Sequence, residues 1–93
     1  MTIQVNSKHK FVLNLAEILV YHANKGEGLP SHTHGYSHVT MCDNGSCLVS
    51  LEGRSYTIDK NSKPLFLPAN EWHEIEALED ETVFVNVFAK GKF

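Results

Sequence analysis

"SHTHGYSH", Ser31 to His38, places three of the chain's six histidines within seven positions. Neutral imidazole is the commonest metal ligand among side chains and also titrates near neutral pH, so this crowding points to a metal site or a proton switch. In an extended strand, residues two apart project from the same side. His32 and His34 can therefore present both rings to one point, and His38, also of even parity, can join them. The intervening Thr33, Tyr36 and Ser37 are not ligands in this pattern, and Gly35 lets the backbone bend between His34 and His38.

Outward from this stretch, turn signals recur at short intervals. "NKGEG" (24–28), "DNG" (43–45), "EG" (52–53), "DKNS" (59–62), "PAN" (68–70) and "LEDE" (78–81) bound segments rich in Val, Ile, Thr, Tyr and Phe. That spacing predicts an all-β, meandering antiparallel sheet or barrel. His38, Thr40 and Cys42 share one face of a strand, with Val39 and Met41 on the other. "SCLVSL" and "RSYTI" form a hairpin with Gly53 in its turn. "ETVFVNVFA" is a strand covered on two sides, with Phe84, Asn86 and Phe88 facing one way and Val83, Val85 and Val87 the other. "FVLNLAEILVYHA" fits a helical stripe at Val12, Leu15 and Leu19 and a strand at Ile18 to His22; its second half is assigned to a strand.

With 93 residues, 42% of them hydrophobic and 20% charged, the chain fits a single folded domain over 1–93, with residues 1–10 expected as a loose arm. A net charge of −3 offers no basic surface for a nucleic-acid backbone. The terminal Lys90 and Lys92 read as a solubilising tail. The run after "KHK" is broken by Asn14 and Glu17 and leads to no small-x-small cleavage site, so the expectation is a cytoplasmic protein with no membrane span. In that compartment Cys42 and Cys47 are expected to stay reduced, although their spacing across a turn permits a cross-strand pair.

The residues Gly26, His32, His34, His38 and Gly45 stand at the spacing G-x5-H-x-H-x3-H-x6-G. This resembles the first motif of the cupin family, with histidine in place of its glutamate. "PANEWHEIEA" is similar to the second cupin motif, P-x-G-x-x-H-x-x-x-N: Pro68 and His73 match, Asn70 stands for the glycine and Ala77 for the asparagine. Asn is a physically reasonable substitute for Gly where a turn needs positive φ. Ser62 occupies the position of the motif's upstream glycine. The resemblance covers about residues 18–88. It implies a small double-stranded β-helix, a cupin-type jelly-roll barrel, with His32, His34, His38 and His73 converging on one divalent transition metal. Four neutral imidazoles leave such an ion its full double charge and suit Fe, Ni, Zn, Cu or Mn better than Mg or Ca. His9 and His22 fit neither motif.

Parity then nominates a pocket of Thr40, Cys42, Tyr56, Phe66, Ile75, Phe84 and Phe88, mostly apolar with a few hydroxyls, suited to a small-molecule ligand. Arg54, the single arginine, sits beside a turn and reads as solvated, so phosphorylated ligands are disfavoured. Glu74 and Glu76 have outward parity, and Trp72 should point away from His73. Three functional readings follow. One is a metal-dependent enzyme of dioxygenase, isomerase or lyase type; another is a non-catalytic module that binds or senses a small molecule or metal; the third is a structural dimer whose metal staples a small core. A short barrel with apolar faces at Val83, Val85 and Val87 is expected to form a homodimer.

Overall fold

The computed structural model describes residues 2–89, and all its regular structure is extended. The Lys90 and Lys92 pair lies outside the described residues. The strands are β1 (Ile3–Gln4), β2 (His9–Val12), β3 (Ala16–Ala23), β4 (Glu27–His32), β5 (His38–Asn44), β6 (Ser46–Leu51), β7 (Arg54–Asp59), β8 (Leu65–Leu67), β9 (His73–Ala77) and β10 (Thr82–Ala89). They form two five-stranded sheets, in the orders β1-β4-β9-β6-β7 and β2-β3-β10-β5-β8. Among the described residues no helix is long and apolar enough to cross a membrane.

Alternation drives the packing. Along β10 the side chains of Thr82, Phe84, Asn86 and Phe88 are buried while Val83, Val85 and Val87 are half-covered. β10 lies between β3 and β5, antiparallel to both, with Phe84 opposite Tyr21 on one side and Cys42 on the other. The facing sheet contributes Cys47, Val49 and Ile75, each with 0% exposure. Removing an aliphatic or aromatic side chain of this size from water contributes about 1.5–3 kcal/mol. In a chain this short, a handful of such residues decides the stability.

Turn chemistry sets the hairpins. Gly45 joins β5 to β6 with φ of 73°, and a Cβ there would come 2.5 Å from Thr82 Oγ1. Gly53 closes the expected β6–β7 hairpin, whose register pairs Leu51 with Arg54. The ambiguous segment resolves into β2, a short bend and β3, so its apolar residues serve two strands and no helix.

The N-terminal residues differ from the expectation of a loose arm. β1 pairs parallel with β4, Ile3 opposite Glu27, and β2 pairs with β3 from His9–Val20 to Val12–Glu17. The backbone groups of these residues complete sheet ladders, which ties the segment down. The large exposed apolar side chains are not the three valines: Ile3 stands out on β1, Phe11 and Val12 on β2, and Leu13 and Leu15 in the bend before β3. Cys42 and Cys47 are both free and buried, and burial raises both thiols above their usual range.

Candidate metal centre

The four predicted histidines come from four places in the chain: His32 ends β4, His34 lies in the following loop, and His38 and His73 open β5 and β9. β4 pairs with β9 so that His32 faces His73, after a register shift that follows Leu29. The ring centroids of His73 lie 4.3 Å from His32, 4.7 Å from His34 and 5.2 Å from His38. One ligand nitrogen from each of His32, His34 and His73 falls within a group no more than 4.8 Å across. His38 is not a member of this group of three, but its Nε2 lies 3.4 Å from that of His73.

The outer nitrogens explain which atoms point inward. His32 Nδ1 lies 2.7 Å from the Pro30 carbonyl oxygen, His34 Nδ1 2.7 Å from that of Tyr36, and His73 Nδ1 3.3 Å from that of Glu71. A carbonyl oxygen only accepts, so each Nδ1 carries the proton and each Nε2 keeps its lone pair. His38 turns its Nδ1 to the Thr40 hydroxyl at 3.4 Å. Lone pairs therefore face one another across the centre, an arrangement that repels unless a cation lies between them. Two ligands at 2.0–2.1 Å from a tetrahedral zinc lie about 3.3 Å apart, close to the His38–His73 separation. The residues fit a metal.

Local backbone features hold this arrangement. Asn70 adopts φ of 64°, the left-handed conformation expected where it stands for glycine. Its N–H donates to the His34 carbonyl oxygen at 2.8 Å, which fastens the loop before β9 to the loop after β4. Arg54 is not a free surface cation. Its Nη1 pairs with the Glu71 carboxylate at 2.7 Å and so steadies the residue whose carbonyl orients His73. Trp72 is exposed, pointing away from the buried His73, as parity required.

Burial pushes His38 down to about 3, with the neighbouring His73 and His34 rings adding to the effect. Burial likewise lowers His73 to about 4, assisted by His32, and lowers His34. These rings stay neutral at neutral pH. The unfolded chain binds protons on its histidines near pH 6.5, whereas folded His38 and His73 do not until pH 3 to 4. Their contribution to stability is thus complete above about pH 6.5 and lost as pH falls toward 4. Chemical denaturation of the metal-free protein is expected to show stability falling by up to about 1.4 kcal/mol per pH unit for each of the two residues. Constant stability from pH 7 to 5 would mean that the rings take up protons freely.

A cavity of about 320 Å³ opens above the imidazoles, and His32, His34 and His38 form its floor. Of the pocket residues nominated from sequence, Phe88 lines this cavity. Thr40, Cys42, Ile75 and Phe84 face inward but lie in the buried interior beneath it. Tyr56 and Phe66 correct the parity reading. Phe66 sits opposite Val39 in β8, on the outer face, and is 59% exposed. Tyr56 shares the parity of buried Ile58, but it lies in the exposed part of edge strand β7, and the ring is 42% exposed.

Residues not singled out as pocket residues take their place. Tyr36 stacks on His34 with centroids 4.1 Å apart and an 8° angle, and it meets Phe88 edge-on at 5.5 Å. Tyr21, Asn86, Leu19 and Leu29 complete much of the wall. Asn86 did carry a signal, as a polar residue set between Phe84 and Phe88 on the inward face of β10. The cavity lining includes no Asp, Glu, Lys or Arg.

No protein-family model matches this sequence, and no curated protein matches it. Solved structures do. KdgF from a Halomonas species superposes with a TM-score of 0.76 at 18% identity, covering 85% of this chain and 73% of that one. An RmlC-like cupin from Shewanella frigidimarina gives 0.72 at 16% identity, over 87% of this chain and 71% of that one. A protein with a double-stranded β-helix domain from Klebsiella pneumoniae gives 0.72 at 21% identity, over 88% of this chain and 70% of that one. Two five-stranded sheets closed around an inward-facing core, with the same architecture as these neighbours, make this chain a cupin in fold, a double-stranded β-helix.

Proposed function

We propose that this protein is a metal-dependent enzyme that acts on a small organic molecule, with His32, His34, His38 and His73 holding one divalent transition metal. The observation that carries the reading is the set of inward Nε2 lone pairs, three of them fixed by carbonyl contacts at the outer nitrogen, at the floor of an open cavity. When bound, such an ion acts as a Lewis acid toward a carbonyl or enolate oxygen. Four neutral donors leave its charge undiminished, which strengthens that polarisation.

The cavity wall favours proton-transfer chemistry of the isomerase or lyase kind over dioxygenation. Tyr21 and Tyr36 bring two phenols to the site, and burial raises both above the usual phenol range, so both remain neutral donors. Leu19, Leu29 and Phe88 supply apolar surface that displaces water from a bound ligand. Neither phosphate nor a large polyanion finds an anchoring cation among the lining side chains.

Elemental analysis of untagged protein tests the reading. About one transition-metal ion per chain is expected, and a firmly held redox-inactive ion such as zinc supports the isomerase or lyase assignment. Protein that is purified without metal and takes up none of Zn, Ni, Co, Fe or Mn on dialysis refutes it.

A further inference from the structure

A row of buried polar side chains, Thr40, Asn86 and Tyr21, runs across the sheet from beside His38 to the cavity wall. Asn86 of β10 lies opposite Thr40 of β5 and opposite Leu19 of β3, with Tyr21 in the diagonal position two residues beyond Leu19. Thr40 and Asn86 are at most 2% exposed and Tyr21 is 7% exposed. Buried polar groups of this kind are costly unless their bonds are made, so their directions carry information.

The Thr40 hydroxyl donates to Asn86 Oδ1 at 2.7 Å. With Oδ1 occupied, the Asn86 amide meets the Tyr21 phenol through its N–H, the polarity that favours a negative phenol oxygen, as the downward pull of Asn86 on Tyr21 requires. At the other end, His38 Nδ1 faces the Thr40 oxygen at 3.4 Å. Every donor in the row therefore points from His38 toward the cavity. Tyr21 accepts from Asn86, which leaves its own O–H to donate into the cavity that Tyr21 lines. Phe84 stacks under the ring at 4.8 Å and 12°, fixing its plane. Burial, helped by the nearby Tyr36, holds the phenol in its neutral, donating form.

We propose that Tyr21 is the substrate-orienting residue of this site, donating its O–H to one oxygen of a small organic anion whose other oxygen binds the metal. The proposal rests on the metal reading above and names its ligand class. A dication set in a cavity without charged side chains selects an anion, and a volume of about 320 Å³ admits a compact one. Tyr21 lines the same cavity as His32, His34 and His38, so an anion held at the imidazoles and bonded to the phenol is one with two oxygens, a chelating class.

The test uses cobalt(II)-loaded full-length protein titrated with acetohydroxamate, a small monoanionic oxygen chelator, with the visible spectrum of the metal as readout. Tyr21→Phe keeps the ring on Phe84 and removes only the hydroxyl. It is expected to weaken acetohydroxamate binding 10- to 100-fold, the range for a hydrogen bond to a charged group, while cobalt content and the ligand-free spectrum match wild type. Thr40→Val frees Asn86 to turn and is expected to weaken binding severalfold with the phenol still present. Affinity within twofold of wild type in Tyr21→Phe overturns the role of Tyr21 and leaves the metal site standing. Wild-type protein that binds no cobalt overturns the metal reading itself, before any chelator is added.

Discussion

A His34→Ala protein is expected to keep its fold and to bind a transition metal at least about 100-fold more weakly than wild type. Removing a mere outer partner of a ligating histidine costs 10- to 100-fold in affinity, so losing the ligand itself should cost at least the upper figure. His34 is the informative position because it lies in the loop between β4 and β5, half-exposed, with no ladder bonds to disturb. Its ring sits within 5.4 Å of His32, 5.2 Å of His38 and 4.7 Å of His73, so it borders every other member of the cluster. The main packing loss is its stack on Tyr36, a contact near the cavity mouth, and the thermal midpoint should move by only a few degrees. His22→Ala is the matching control. His22 is exposed on β3 and its ring contact is with His9, outside the cluster. Equilibrium dialysis with elemental analysis decides the matter. One firmly bound ion per chain in His34→Ala, at wild-type affinity, removes His34 from the ligand set.

How much of this was legible beforehand divides along a physical line. Spacing and parity pointed to His32, His34 and His38, and the resemblance to the second cupin motif added His73; the structure groups His32, His34 and His73, with His38 beside His73, although His34 lies in a loop beyond the β4 ladder. The positive φ of Asn70 was legible, since the requirement is local and Asn is one of the few side chains that meets it cheaply. Pocket lining was less legible. Parity tells which face a side chain takes but not how deep it lies, so Thr40, Cys42, Ile75 and Phe84 were read as cavity wall and proved to be interior. It also depends on register, which pairs Phe66 with outward-facing Val39, and Tyr56, near the open end of edge strand β7, is exposed although it shares the parity of buried Ile58. Tyr21 required more still. Its place depends on the register of β3 against β10, and register is a long-range property that no local pattern in "AEILVYHA" states.

Gly28→Ala should lose more stability than Gly26→Ala, and it tests why the two halves of the site meet. Gly28 lies between β1 and β9, opposite Gln4 on one side and Glu76 on the other. A Cβ at this position would overlap the Ile75 carbonyl oxygen, a backbone atom held in the β9–β6 ladder by the pairing of Ile75 with Val49. Nor can β4 move the other way freely, because the Gly28 carbonyl accepts from Val5 N–H at 2.9 Å. Overpacking against fixed atoms costs about 1–3 kcal/mol and the φ of 157° adds backbone strain of about 1–3 kcal/mol, together a large share of the roughly 5–15 kcal/mol that holds a domain of this kind together. The thermal midpoint should fall by about 12 °C. Metal affinity should fall with it, by about tenfold, since the β4–β9 contact that Gly28 permits is the one that sets His32 opposite His73. Gly26→Ala separates this effect from backbone strain. Gly26 has φ of 88° but open space around its missing Cβ, so its cost is confined to the left-handed conformation, about 1–2 kcal/mol. If the two variants unfold at the same denaturant concentration, close approach of β4 to β9 is not what aligns the imidazoles, and the pairing across the metal centre must be maintained by the loop contact between Asn70 and His34 instead.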